Sequence, residues 1–296
     1  MTLSAEALAR LRCPACGERS LANATEGLVC LDCASDVPTV LPGVPSFASV
    51  SDAGFDERWR KHPAPQPTPI EQWVAKTGLP LTRIVGKTVF DAGCGIGRYC
   101  RFLTEHGAHA VGVDISLSGL AAAQANAPSA ELYQADLTKL PFADEVFDYA
   151  VSIGVLHHLP STEAGFREVA RTVRRGGELA VWVYTNPVLE EKWRLCVDFL
   201  HEVTRACPPE ALYSIISRYA VPIRDAYHPE WGPVQQILRP AYNPSNEQCI
   251  SDMFDWHTPQ YRWYHTAEEL KGWFEAAGFD VVWTGTFPVS MRGCKR

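Results

Sequence analysis

Ten residues, Val89-Phe-Asp-Ala-Gly-Cys-Gly-Ile-Gly-Arg98, restrict the possible folds of this chain more than any other stretch. The residues from Lys87 to Phe90 read as a short buried strand. Gly93, Gly95 and Gly97 follow at once, and the amphipathic run from Arg98 to Glu105 reads as a helix. Strand, glycine turn and helix start together form a cradle the size of a nucleotide. Glycine lets the backbone turn tightly and lets a ligand come close to it. The helix N-terminus offers unpaired N–H groups and positive potential. The spacing departs from the dinucleotide pattern G-x-G-x-x-G, because Arg98 occupies the place of its third glycine. Asp91 precedes the turn, where it would repel a pyrophosphate. A ligand with a cationic amino-acid end suits that acid better.

The segment Asp91-Ala-Gly-Cys-Gly-Ile-Gly97 resembles motif I of the class I S-adenosylmethionine (SAM) dependent methyltransferases. The resemblance continues at Val111-Gly-Val-Asp-Ile-Ser116, Gln134-Ala-Asp-Leu137 and Phe147-Asp-Tyr-Ala-Val-Ser-Ile-Gly-Val-Leu-His-His158. It covers roughly residues 86–184 tightly and the C-terminal end more loosely. The alternation of elements independently predicts a doubly wound α/β sheet. Strands fit at 88–92, 109–114, 130–134, 147–153 and 177–184, and helices fit at 98–106, 116–126 and 162–174. The last of these helices is expected to end at a Gly176-Gly177 cap. Thr266-Ala-Glu-Glu269 is a capping box opening a helix through Ala277. Two strands, Phe279 to Trp283 and Phe287 to Met291, follow it, and Arg292 to Arg296 reads as a solvated tail. The resemblance implies a Rossmann-like, mostly parallel seven-stranded sheet in the order 3-2-1-4-5-7-6.

Ligands of such sheets bind at the carboxyl ends of the strands. Asp114 ends the second strand about 20 residues past the first glycine, where an acid accepts hydrogen bonds from both ribose hydroxyls. Ile115 follows it. By resemblance, Asp136 lies near the adenine amino group and Leu137 lines the ring; a loop-capping role is the other reading of Asp136. Asp91, Cys94 and the glycines face the methionine end, and Ile153 and Gly154 the sulfonium. His157 and His158 come next, where donor and acceptor would meet. One of them is a candidate base, and a structural or pocket-lining role is the alternative.

Residues 1–48 form a separate module. Cys13-Pro-Ala-Cys16 and Cys30-Leu-Asp-Cys33 are two C-x-x-C knuckles around a hairpin, a spacing that suits a structural Zn²⁺ held by four thiolates. The module resembles zinc ribbons found at the N-terminus of some methyltransferases, where they help hold substrate. Residues 49–69 read as a Pro-rich linker with a short helix at 55–59, and a helix at Ile70 to Lys76 leads into a methyltransferase domain spanning 70–296. Trp59 or Trp73 is a candidate cover for the cofactor, with plain packing as the other reading. A helical insertion at 186–265 is the natural lid over the acceptor. Its aromatic-rich composition, together with Tyr184, marks Trp193, Asp255, Trp256, His257 and Tyr261 as candidate acceptor contacts. Asp255 and His257 alternate, so both would face the pocket only in an extended chain.

The chain has 296 residues and a formal net charge of −7, which argues against a nucleic-acid partner held by phosphate neutralisation. It contains no apolar run long enough to span a membrane and no signal-peptide h-region. Four of its ten cysteines sit in the metal pattern and six are scattered, which suits a reducing, cytoplasmic setting. The leading expectation is methyl transfer from SAM to a small-molecule acceptor by in-line displacement, with proximity and desolvation supplying most of the rate. The alternatives are an RNA methyltransferase guided by the ribbon and a SAM-binding protein that does not methylate. The acceptor's identity and the oligomeric state are not encoded in any motif.

Overall fold

The computed structural model describes residues 2–64, 68–185, 191–226, 245–285 and 289–296, with only the helical backbone at 191–193. Several expected positions lie outside the described residues: the side chain of Trp193, the start of the insertion at 186–190, the aromatic run 227–244 and the strand start at Phe287.

The N-terminal module comprises α1 (Ala5–Arg10), β1 (Leu21–Asn23), β2 (Leu28–Cys30), β3 (Asp36–Val37), β4 (Thr39–Leu41) and β5 (Val44–Pro45). β1, β2 and β3 form one antiparallel sheet, and β4 and β5 form a hairpin. Within the connector, α2 (Ala53–Lys61) is capped by Asp52, whose carboxylate accepts from the N–H groups of Gly54 and Phe55. This helix is longer than the expected 55–59. α3 (Ile70–Thr77) ends at Gly78, whose φ of +60° is the left-handed geometry of a helix stop.

The main sheet contains β6 (Thr88–Ala92), β7 (His109–Asp114), β8 (Glu131–Gln134), β9 (Phe147–Ile153), β10 (Val173–Trp182), β11 (Phe279–Thr284) and β12 (Ser290–Lys295). They run in the order β8-β7-β6-β9-β10-β12-β11, with β12 antiparallel to both neighbours. That is the order expected from the sequence. The intervening helices are α4 (Arg98–Glu105), α5 (Leu117–Asn126) and α6 (Thr162–Thr172). Adjacent residues of β6 feed opposite faces. Val89 joins a core with Leu103, Leu120 and Trp73, while Phe90 joins one with Phe142, Phe147 and Phe166. Both faces are therefore covered, as buried parallel strands require.

Two local expectations fail. Gly176 and Gly177 do not cap a helix. α6 stops at Thr172, and the glycines form a bulge inside β10, where the pairing with β9 shifts register between Val173 and Glu178. Nor is Arg292 to Arg296 a solvated tail. Residues 292–295 belong to β12, between β10 and β11, and Arg296 alone is left exposed beyond it. Arg292 is buried and pairs with the buried Glu178, which also accepts from Arg83 Nη2 at 2.7 Å. Lys295 Nζ donates to the carbonyls of Ala170 (3.2 Å), Arg171 (3.3 Å) and Val173 (2.8 Å), stopping α6 with a cation at its negative end.

Three helices, α7 (Glu191–Arg205), α8 (Pro209–Asp225) and α9 (Asn246–His257), form the described part of the insertion. Cys249, Met253 and Phe254 of α9 pack on Leu212 and Ile216 of α8. α8 takes Pro222 into its last turn. α10 (Ala267–Ala276) opens with the expected capping box, Thr266 and Glu269 each bonding the other's backbone.

Candidate functional site: a cofactor-sized cleft at the strand ends

A cleft of about 1340 Å³ opens over the carboxyl ends of β6 to β10. Single-ligand pockets are usually ~300–1,000 Å³, so there is room for two molecules. At one end stands the glycine turn. Gly93, Gly95 and Gly97 have φ of +86°, +51° and +76°. A Cβ on Gly93 would lie 2.3 Å from Val155, and one on Gly97 would lie 2.9 Å from Ala123. Side chains are excluded there by space as well as by backbone geometry. Trp59 of α2 covers the turn, 3.1 Å from where a Gly95 Cβ would be. Trp73, by contrast, is fully buried and donates to the Leu79 carbonyl at 2.7 Å. α2 thus supplies a cover that the sequence left undecided between the two tryptophans.

Asp114 sits beside this turn. Its carboxylate accepts from Gly95 N at 2.7 Å and from Ser116 N at 2.9 Å. Burial drives its pKa up to about 6, against the pull of those two N–H groups. Ser116 Oγ takes Gly119 N and caps α5, leaving Asp114 to face the cleft. Asp91 lies beneath the turn and does not itself line the cleft. It is fully buried, accepts from the Cys100 thiol at 3.4 Å, and burial raises its pKa to about 7. Asp136 is exposed and holds its own loop, accepting from Thr138 N and Oγ1 at 2.7 and 2.8 Å. It also borders the cleft, so the capping role is realised without removing Asp136 from the site. Cys94, Ile115, Leu137, Ile153 and Gly154 line the same cavity, whereas Gly97 lies behind it.

The far wall is aromatic. Trp182, Tyr184, Trp256, Tyr261 and Tyr264 all border the cleft. Tyr184 stands 5.8 Å from Trp182, 5.4 Å from Trp256 and 6.5 Å from Tyr264, centroid to centroid. Trp182 fills the space over Gly154, where a Cβ would meet its ring at 2.7 Å. Lys76 Nζ lies 4.8 Å over the Trp182 ring, with its pKa lowered to about 8 by burial. Asp255 lines the cleft and pairs with Arg58 of α2. His257 does not line it. Residues 246–257 are helical, not extended, so positions two apart point in different directions. Trp182 and Lys76 were absent from the expected site residues; no motif marks them, and the end of β10 and the folding of α3 onto the sheet bring them here.

The two histidines separate cleanly. His157 is buried beneath the wall, stacked at 3.7 Å on Tyr184, and Tyr184 N donates to its Nδ1 at 3.2 Å. That bond places the neutral ring's proton on Nε2, and burial holds the pKa well below the usual histidine value. His158 borders the cleft, and its Nδ1 donates to the Tyr261 carbonyl at 3.0 Å. Its Nε2 is then a lone pair that is itself buried and has no hydrogen-bond partner among the described residues. Burial lowers its pKa too, so the ring is neutral at pH 7.

In the N-terminal module the Sγ atoms of Cys13, Cys16, Cys30 and Cys33 all lie within 4.8 Å of one another. Cys13–Cys33 and Cys16–Cys30 are each 3.6 Å apart. A tetrahedral zinc with Zn–S of ~2.3 Å has sulfur edges of about 3.8 Å, so the four thiols fit such an ion.

Sheet order, glycine turn and the acid at the end of β7 together define the class I SAM-dependent methyltransferase architecture. Residues 90–181 match the methyltransferase domain family, and this part of the chain is such a domain. The chain is 34% identical over 164 residues to a demethylmenaquinone methyltransferase of Corynebacterium kroppenstedtii, a match spanning 55% of this chain and 63% of that protein. It is 31% identical to the O-methyltransferase resE of Aspergillus sclerotiorum, over 51% of this chain and 54% of the relative. It is also 35% identical to a probable tRNA methyltransferase 9B of Mus musculus, over 37% of this chain and 24% of that one. The chain thus spans less than two thirds of the length of each of these relatives. No described helix is long and apolar enough to cross a membrane.

Proposed function

We propose that the protein transfers the methyl group of SAM to a small molecule with a flat, unsaturated face, and that the cysteine cluster holds a structural zinc. The observation that carries this reading is the joining, in one cleft, of the Gly93–Gly97 turn and Asp114 at one end with the Trp182–Tyr184–Trp256–Tyr264 wall at the other. SAM brings an already activated methyl on a sulfonium. The chain's own residues then bind, orient and exclude water. Asp114 holds the ribose hydroxyls, Asp91 offsets the cationic amino-acid end from below, and Ile153 and Gly154 flank the sulfur. The aromatic wall presents the acceptor across from it. Two of the three relatives above are named for small-molecule or O-methylation, which supports the reading. The cleft's described charges are Arg58, Lys76 and Arg98 against Asp52, Asp114, Asp136, Asp252 and Asp255. That acidic balance disfavours an RNA track. A panel of phenol, amine and thiol acceptors assayed with radiolabelled SAM tests the proposal; turnover only with RNA, or with none of them, would count against it.

His158 is the base of this reading wherever the acceptor must lose a proton. For a hydroxyl acceptor, His158→Gln is expected to lower kcat by about 10²–10⁴-fold while leaving the SAH (S-adenosylhomocysteine) dissociation constant unchanged. The acid limb of the kcat profile should lie below pH 6.5, because burial lowers this pKa. His157→Gln, which removes a packed ring, should instead lower thermal stability. Equal kcat for His158→Gln and wild type, with a flat profile, would leave methyl transfer without a base.

Cofactor affinity should depend on pH with a definite sign. Asp114 and Asp91 have pKa values raised to about 6 and about 7, so both lose charge as pH falls through that range. SAH binding is therefore expected to weaken from pH 8 to pH 5. The same two groups make the ligand-free fold bind more protons than the unfolded chain. Their contribution to its stability thus falls as pH rises from about 4 to 7. Calorimetric titrations at several pH values check this; tighter binding at pH 5 would contradict it.

A further inference from the structure

Among the described residues, none of the N-terminal module lines the cleft. The module sits at the β8 edge, beside the adenosyl end of the cleft. We infer that the cysteine cluster sets the affinity of that end: metal in the module and nucleoside in the cleft bind with positive coupling, carried through Ser46, Phe47 and Gln134. This rests on the SAM reading above and adds a role for the module that the reading does not require.

Two sets of contacts carry the inference. The first ties the ribbon to both ends of the adenine loop. Arg10 makes a two-pronged bond to Glu131 at the start of β8, at 2.6 and 2.7 Å. Arg12 N donates to Pro141 O at 2.7 Å, and Ala143 N donates to Arg10 O at 2.8 Å. Asp136 and Leu137 lie between those anchor points. The ligands Cys13 and Cys30 share one continuous core with Tyr133 and Leu137. The buried half of the cysteine cluster is thus continuous with the core behind Leu137, while Cys16 and Cys33 face outward.

The second set leads from the end of the module to Asp114. Ser46 Oγ donates to Gln134 Oε1 at 2.6 Å, and Phe47 N donates to Gln134 O at 2.7 Å. Ser46 and Gln134 are both buried. With its oxygen so engaged, the Gln134 amide aims Nε2 at the carbonyl of Ile115, 3.0 Å away, the residue directly after Asp114. Gln134 is a positioning residue for that carboxylate. The chain then continues from Phe47 to Ser51 and Asp56. Leu117 N donates to Ser51 Oγ at 3.1 Å, and Ser116 Oγ and Ser118 N donate to Asp56 at 2.7 and 2.9 Å. The backbone on the C-terminal side of Asp114 is thus held by the segment leaving the ribbon. A module this small takes much of its folding energy from its metal. Losing the ion loosens every one of these tethers at once. Linkage then requires the converse, that nucleoside binding tightens the hold on the metal by the same factor.

The test measures zinc affinity of the full-length protein by competition with a chromogenic chelator, with and without saturating SAH. SAH should tighten zinc binding about fivefold or more, the lower end of usual coupling. The calorimetric SAH affinity of zinc-stripped protein should fall by the same factor. In the double variant Ser46→Ala/Gln134→Leu, zinc affinity without SAH should match wild type, and the tightening by SAH should shrink. If SAH binds the zinc-loaded protein but leaves zinc affinity unchanged, the coupling is overturned and the SAM reading stands. If SAH does not bind the zinc-loaded protein at all, both are overturned.

Discussion

Replacing Asp114 by Asn is expected to weaken SAH binding by about 10²–10⁴-fold. Hydrogen bonds to a charged acceptor are worth ~1.5–3 kcal/mol each. Two ribose hydroxyls on one carboxylate make that roughly 3–6 kcal/mol, at 1.4 kcal/mol per decade. Asn offers one acceptor where the site already asks for two, from Gly95 N and Ser116 N. The fold should survive the change. The Asp114 pKa is raised to about 6 by burial, so at pH 7 the ligand-free protein bears the cost of a charge it does not favour. The Asn variant loses one of those two bonds but also the buried charge, so it should melt close to wild type while losing the ligand. That separation is the mark of a group kept for binding and not for stability. Calorimetry and thermal melts on the same sample read both quantities. SAH affinity within threefold of wild type would remove Asp114 from the ribose.

Glu178→Ala is expected to cost about 3–5 kcal/mol of stability, because it strands a buried arginine. Arg292 and Glu178 are both under one-tenth exposed. The pair ties β12 to β10 at the Ala180–Arg292 neighbourhood of the sheet. The melting temperature should drop by on the order of 10 °C. Arg83→Ala, which removes the half-exposed third member, should cost only ~1 kcal/mol or less. The double change Glu178→Leu/Arg292→Met removes both charges and should recover most of the loss. If the single and double variants melt alike, the loss comes from packing and not from the unpaired charge.

What the sequence made legible was the part that the backbone itself dictates. A strand, three glycines and a helix have few arrangements, and Asp114 falls at a strand end by register alone. The sheet order followed from the resemblance. Illegible were features set by distant partners. Gly176-Gly177 looks like a helix stop because nearby residues cannot reveal that β9 has fewer residues to pair at that point. Arg292 and Lys295 look like a solvated tail until Glu178 and the end of α6 are placed beside them. His157 and His158 are chemically identical in the sequence. The carbonyl of Tyr261, 103 residues away, tells them apart. Asp255 and His257 would both have faced the pocket only in an extended chain; the packing of Phe254 on α8 makes residues 254–257 the end of a helix, and only Asp255 lines the cleft. Trp59 was legible as a candidate cover, but only α2's seat over Gly95 decides between it and Trp73.

The most direct test of the central claim is a crystal structure of the zinc-loaded protein with SAH. The account predicts both ribose hydroxyls on the Asp114 carboxylate, the amino-acid end over the Gly93–Gly97 turn, and the sulfur facing Trp182 and Tyr184 across Gly154. A nucleoside bound away from Asp114, or a sulfur turned from the aromatic wall, would contradict it.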